Sequence, residues 1–153
     1  VESVWDYPRP PAIKPDPRRV RVEFAGVVIA DTMRAVRILE TSHPPSFYIP
    51  PADIKMNLLT REEHHSFCEW KGEAEYWTIN ISGQISENAA WSYAKPARAY
   101  AAIKDHLAFY ASRVHACTVG EERVTPQEGN FYGGWITSEI KGPFKGAPGT
   151  TGW

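Results

Sequence analysis

Between Ile38 and Gly72 the chain gathers most of the side chains that could do chemistry, including three of its five histidines and one of its two cysteines. Glu40 closes the apolar run Ile38-Leu39. A carboxylate at a buried strand end has its pKa raised by desolvation unless it is paired, and it could then act as a general acid or base. The alternative is a Glu that pairs with Lys71 or Arg37 to fix a sheet corner. His43, just before Pro44-Pro45, is a second candidate base. Lys71 stands before Gly72 in CEWKG, where it could orient an anionic ligand or, if desolvated, serve as a nucleophile; the plainer expectation is a solvated lysine ahead of a turn glycine. Cys68, three residues earlier, is a nucleophile if its pKa is lowered and an inert small hydrophobe if it is simply buried.

His64, His65, Cys68 and Glu69 carry metal-ligating atoms, but H-H-x-x-C is not a zinc spacing, and adjacent histidines on a strand point to opposite faces. A polar exposed loop is expected there, with no metal and no other cofactor. The second chemical signature is aromatic. The chain has six Trp and seven Tyr, and Tyr48, Trp70, Tyr76, Trp91 and Tyr93 surround the reactive stretch. Tyr76, Trp91 and Tyr93 alternate on strand patterns, so their rings stack side by side on one face. Rings with a polar edge commonly line ligand pockets; they also commonly fill β cores.

The bulk properties exclude several partners. A formal net charge of -1 and a pI of about 6.6 argue against a nucleic-acid-binding stripe and against polybasic membrane attachment. No apolar run approaches the roughly 18 residues a membrane span needs. VESVWDYPRPP lacks the charged and then apolar regions of a signal peptide. Two cysteines do not make a disulfide framework. These features predict reduced thiols and a cytoplasmic protein whose partner is an unidentified small molecule; oligomeric state is not predicted.

The elements that would position these residues are mostly strands. Pro8, Pro10, Pro11, Pro15 and Pro17 favour an extended N-terminal strap over residues 1–18. Alternation over residues 19–24, 27–30 and 33–41 predicts three strands with turns at Ala25-Gly26 and Asp31-Thr32, arranged as an antiparallel meander. Phe47-Tyr48-Ile49, bracketed by two Pro pairs, reads as an edge strand or loop. Residues 53–59 carry Ile54, Met56 and Leu58 on one face of a predicted strand, and residues 60–65 read as a polar connection. Residues 73–81 give the clearest strand, with Trp77, Ile79 and Ile81 on one face and Ala74, Tyr76 and Thr78 on the other. Residues 88–93 return with Ala89, Trp91 and Tyr93 on one face. A short helix is expected over 98–106, and residues 107–114 fit either its continuation or a strand. The Gly- and Pro-rich tail, residues 129–153, is expected to be held by Phe131, Trp135, Phe144 and Trp153.

Three blocks carry a family resemblance: VRVEFAGVVIADTMRAVRILETSHPPSFYIPPADI, CEWKGEAEYW and ENAAWSYAKP. Over roughly residues 19–114 they resemble the domain of unknown function 427 family. The resemblance implies a beta-tent architecture, two antiparallel sheets meeting at an angle, shared with R-type methionine sulfoxide reductases and the drug-binding domain of cereblon. Fold analogy alone carries no function. The paired C-x-x-C knuckles that hold structural zinc in many beta-tent proteins are missing, and with them any support for a reductase. A nucleotidyltransferase label is sometimes attached to the family, but the chain has no G-x-x-x-x-G-K-[ST] and no other phosphate-cradling loop.

The expectation is therefore a mainly β, antiparallel two-sheet beta-tent-like domain with one short helix. It would run over residues 1–153 as a single domain, with a strap at 1–18, a core at 19–128 and a C-terminal extension at 129–153. The function expected is small-molecule binding in an aromatic-lined pocket, with Tyr48, Trp70, Tyr76, Trp91 and Tyr93 as ligand contacts. The alternative is a hydrolase or transferase using Glu40 or His43 as base with Lys71 or Cys68. A third reading is a protein-interaction domain.

Overall fold

The computed structural model describes residues 1–153 except 69, 70, 130 and 151. Ten strands carry the architecture: β1 (Ala12–Asp16), β2 (Val20–Phe24), β3 (Val27–Thr32), β4 (Ala35–Leu39), β5 (Ser46–Tyr48), β6 (Leu59–Cys68), β7 (Gly72–Ile81), β8 (Gln84–Ser92), β9 (Leu107–Phe109) and β10 (Ala116–Val119). They form mainly antiparallel sheets. One has the order β10-β2-β3, with Glu122–Arg123 added beside β10; a second runs β1-β4-β5; a third runs β9-β8-β7-β6. An antiparallel bridge between Ile49 and Leu107 joins the second and third sheets through β5 and β9. Its two backbone bonds measure 2.8 and 2.9 Å.

This joined sheet has both faces covered, because successive side chains of a strand point to opposite sides. Leu107 and Phe109 of β9 enter the large core against β2, β3 and β10, beside Val22, Ile29, Ile79 and Cys117. Ala108 and the following Tyr110 enter a second cluster on the other side, with Tyr48, Tyr76, Trp91 and Tyr93. The same division runs through β7, where Ile79 and Ile81 face the large core and Ala74 and Tyr76 the aromatic layer. Trp135 from the C-terminal segment plugs the large core: its ring stacks on Phe47 at 5.0 Å, and its Nε1 donates to the Phe109 carbonyl at 2.8 Å.

Several local expectations are corrected. β4 does not complete a meander with β2 and β3; it leaves that sheet and pairs with β1 and β5. Its burial explains why, since all but Val36 of its residues are buried, as befits a strand flanked on both edges. Asp31 and Thr32 belong to β3, opposite Arg21 and Val20. Residues 53–59 form 3₁₀ turns at Pro51–Asp53 and Met56–Leu58 instead of a strand, whereas the polar run after them is β6. That run escapes a periodicity reading because β6 is an edge strand with little burial on either face. Ala89 lies in the large core, not with Trp91 and Tyr93. The β7–β8 pairing jumps from Trp77–Ala90 to Ile79–Ser86, and Asn88 there takes a left-handed φ of 51°. The longest helical element among the described residues, Arg98–Ile103, sits where a short helix is expected. It is 3₁₀, with Tyr100 and Ile103 inward, and Leu107 beyond it is already strand.

The two ends pack against each other. Glu2–Ser3 pairs with Ile140–Lys141, and Val4, Tyr7, Leu39 and Ile140 form a third apolar cluster that Phe144 packs against. Pro15 is tolerated in β1 because β1 is an edge strand. In the tail, Trp135 is fully buried, but Phe131 is exposed. A charge network ties the strap down. Arg37 on β4, only 4% exposed, meets Glu2 at 3.1 Å and Asp16 at 3.5 Å, and Arg18 bridges Asp16 and Glu139. Arg37 and Tyr7 hold the Glu2 carboxyl below its usual range against the opposing effect of burial. Burial pushes the Asp16 carboxyl up, but Arg18 and Arg37 outweigh it and its pKa is also lowered.

Because both folded pKa values lie below the unfolded ones, this network stabilises fully above the unfolded carboxylate values of about 4. Its contribution disappears as pH falls through the folded values. Arg37→Met should cost about 3 kcal/mol in urea unfolding at neutral pH, the lower end for a broken buried pair, because Arg18 still neutralises Asp16. The difference between Arg37→Met and wild type should shrink on acidification.

Candidate functional site

A cavity of about 290 Å³ opens on the aromatic side of the joined sheet. Its rings come from adjacent strands. Tyr76 on β7 stands directly opposite Trp91 on β8. Tyr48 reaches it from β5, and Tyr93 follows β8. The Trp91 Nε1 donates to the Tyr48 hydroxyl at 3.0 Å, with the two rings edge to face at 6.0 Å. Tyr110 closes the other flank of Trp91 at 4.6 Å. Burial raises the pKa of Tyr48 and of Tyr93, so both phenols are neutral donors and acceptors at ordinary pH.

The polar end of the cavity is set by the turn after β4. The His43 N–H donates to the Glu40 carbonyl at 3.0 Å, and Ser42 takes a left-handed φ of 70°. The turn brings the Glu40 Oε2 within 3.6 Å of the His43 Nε2. Lys71, just ahead of β7 and held there by Ala97 N–H donation to its carbonyl at 3.0 Å, points its Nζ to the Glu40 Oε1 at 4.0 Å. Lys71 is buried. Burial works against its charge, but Tyr48, Cys68 and Glu40 outweigh this and its pKa is raised. It is a fixed ammonium, better suited to orienting charge than to neutral amine attack.

Gln127 determines which proton His43 carries. The Gln127 Oε1 accepts the Gly134 N–H at 3.0 Å, which fixes the amide with its Nε2 on the other side. That Nε2 donates to the Lys145 carbonyl at 2.7 Å and lies 3.0 Å from the His43 Nδ1. The Nδ1 must then accept, so neutral His43 holds its proton on Nε2, facing Glu40. Burial first, and then Lys145 and Lys71, push the His43 pKa below its usual value, against the opposing pull of Glu40.

The structure thus brings Glu40, His43, Tyr48, Cys68, Lys71, Tyr76, Trp91 and Tyr93 around one cavity. Trp70 lies outside the described residues. Arg37, an alternative partner for Glu40, pairs elsewhere. His64 stacks on Tyr76 at 4.9 Å and His65 pairs with Glu73. Among the described residues no group of three or more His, Cys, Asp or Glu gathers to hold a metal. Both cysteines are free; burial pushes the Cys117 thiol up to about 12, which leaves Cys68 as the thiol that faces the cavity. Missing from the sequence reading are Tyr110, Gln127, Tyr132 and Lys145, which also line it. The one signal for them was the Gly133-Gly134 pair. A Cβ on Gly133 would sit 2.3 Å from the Trp91 ring, and one on Gly134 would sit 2.4 Å from the Pro44 carbonyl. Only glycines let the tail close over the rings.

The family model described as "Domain of unknown function (DUF427)" matches residues 12–120. The chain belongs to the DUF427 family. A comparison with curated proteins finds no match. Within this DUF427 member the β5–β8 rings, Glu40, His43, Cys68 and Lys71 fall inside the matched residues. Gln127, Tyr132, Gly133 and Lys145, which form the outer wall, fall beyond them. No helix among the described residues is long and apolar enough to cross a membrane.

Long-range ¹H–¹⁵N spectra at neutral pH should show His43 neutral, protonated on Nε2, and titrating below the ordinary histidine value. Gln127→Glu replaces the donor to Nδ1 with an acceptor, so it should raise the His43 pKa and move the neutral-form proton to Nδ1. An unchanged tautomer in that variant would remove Gln127 from its positioning role.

Proposed function

We propose that this DUF427 member is a small-molecule-binding β protein that takes a flat, polar ligand into the aromatic cavity. The observation that carries this reading is the company the rings keep. Tyr48, Tyr76, Trp91 and Tyr93 line the same space as the Glu40 carboxylate, the lysines Lys71 and Lys145 and the His43 imidazole N–H. Apolar walls with a few convergent polar groups are the usual make-up of ligand pockets. In this arrangement Glu40 accepts from the ligand, while Lys71 and the Tyr48 hydroxyl donate to it. The reading includes a beta-tent-like architecture, supported by two antiparallel layers around one core, and a reducing, cytoplasmic setting, supported by two free thiols.

A second reading, a hydrolase or transferase, draws support from the Glu40 neighbourhood. His43 offers a proton on the side facing Glu40, and its lone pair is engaged by Gln127. Glu40 is therefore the better placed of the two candidate bases. Lys71 would be its electrostatic partner, and Cys68 the nucleophile in the same cavity.

Native mass spectrometry of freshly purified protein should show a mass excess that disappears on denaturation. With that compound in hand, Glu40→Gln separates the readings. A binder should lose affinity and show no turnover to lose. An enzyme should lose turnover while its affinity stays within about tenfold, or about 1.4 kcal/mol. If Glu40→Gln unfolds the protein, Glu40 serves the sheet corner and both readings lose their central residue.

A further inference from the structure

The polar end of the aromatic cavity is also one wall of another. A second cavity, of about 190 Å³, is lined by Glu40, His43 and Lys145, which it shares with the first, together with Arg9, Thr41 and Trp153. The N-terminal strap supplies Arg9 and the C-terminal tail supplies Lys145. The two spaces thus adjoin across the Glu40–His43 turn.

The charges around this shared wall do not balance. Among the described residues Glu40 is the single Asp or Glu lining either cavity, and it is met by Lys71 at 4.0 Å and by the His43 Nε2 at 3.6 Å. Arg9 and Lys145 have no Asp or Glu partner among the described residues. Among the described residues the Arg9 Nη2 donates to the main-chain O of Trp153, at a long 3.4 Å. The Lys145 Nζ lies over the Tyr132 ring at 5.5 Å. His43, held neutral, neither adds to the excess nor offsets it. Among the described residues three cationic side chains therefore surround one side-chain carboxylate, and two of them line the second cavity from opposite ends of the chain. A guanidinium fork beside an ammionium suits a carboxylate or a phosphate; the same field repels a cationic ligand.

Building on the reading that the aromatic cavity binds a small molecule, we propose that its ligand is an aromatic or other planar compound bearing an anionic arm. The flat part sits among Tyr48, Tyr76 and Trp91, and the anion reaches the second cavity to pair with Arg9 and Lys145. Glu40 and the His43 N–H lie at the junction, where they meet a polar linker between the two parts.

The test uses the full chain and four probes: phenyl phosphate, phenylacetate, phenol and inorganic phosphate. Each is titrated at low salt and followed by ¹H–¹⁵N correlation spectra. Phenyl phosphate, phenylacetate or both should bind about tenfold or more tightly than phenol, a difference of one charge-assisted contact, and should shift amides around both cavities. Which of the two binds more tightly distinguishes phosphate from carboxylate. Arg9→Met/Lys145→Met, at positions away from the core, should collapse the ratio of anionic to neutral affinity towards one, and Lys145→Arg should largely keep it. Equal binding of phenol and both anions overturns the anionic-arm inference and leaves the aromatic pocket standing. Inorganic phosphate binding as tightly as phenyl phosphate, with no effect of Trp91→Ala, overturns the aromatic pocket itself. Failure of every probe to bind overturns both.

Discussion

The backbone bridge between Ile49 and Leu107 is the interaction on which the site depends. It makes one continuous sheet out of two, and a continuous sheet in the middle of a protein must bury both faces. Phe47 and Ile49 fall on the core side of β5 and its extension, and Tyr48 falls between them on the other side. Leu107 and Phe109 divide from Ala108 and Tyr110 in the same way. The aromatic cavity is thus built on the back of the core, with the strand pleat as its mounting. A ring such as Tyr48 cannot shift without moving two neighbours that are packed to crystal-like density.

The polar end is held differently. It sits on a turn, and turns are positioned by what pins them. The Ser42 N–H donates to the Val4 carbonyl at 3.1 Å, and the Lys145 N–H donates to the Ser42 carbonyl at 2.8 Å. The Thr41 hydroxyl donates to the Tyr7 carbonyl. Strap and tail thus grip the Glu40–His43 turn from two sides. Ser42 itself is fully buried in a left-handed conformation, and its Oγ is unpartnered among the described residues. A strained, incompletely satisfied residue costs stability, and here it stands between the two side chains that face each other at 3.6 Å.

The sequence showed the rings and the reactive side chains clearly, because they lie on period-two strands or beside Pro pairs and a turn glycine. It showed the mainly β character for the same reason. What it could not show were the joins. β4 and β2 both alternate well, and nothing local says that β4 changes sheets; its double-sided burial is a tertiary fact. β6 was hidden because an exposed edge strand needs no apolar alternation, and residues 53–59 suggested a strand because 3₁₀ turns can also present apolar residues two apart. The outer wall was hidden most deeply. Gln127 and Lys145 have no pattern of their own, and they reach the cavity only because glycines at 133 and 134 permit a close approach that a Cβ would block.

The Gln127 amide also narrows what the site can ask of a ligand. With the His43 Nδ1 engaged, the imidazole is a donor towards the cavity. Lys71 is a donor, and so are the neutral phenols where their oxygens are already accepting. Glu40 is the one carboxylate acceptor among them, and it is shared between two of these neighbours. A partner richer in acceptors than donors satisfies such a lining, whereas one rich in donors would compete for a single carboxylate and leave buried N–H groups unpaired, at a cost of about 1–3 kcal/mol each. If the cavity binds a ligand as proposed, its selectivity follows from one fixed amide on the tail as much as from the rings beneath it.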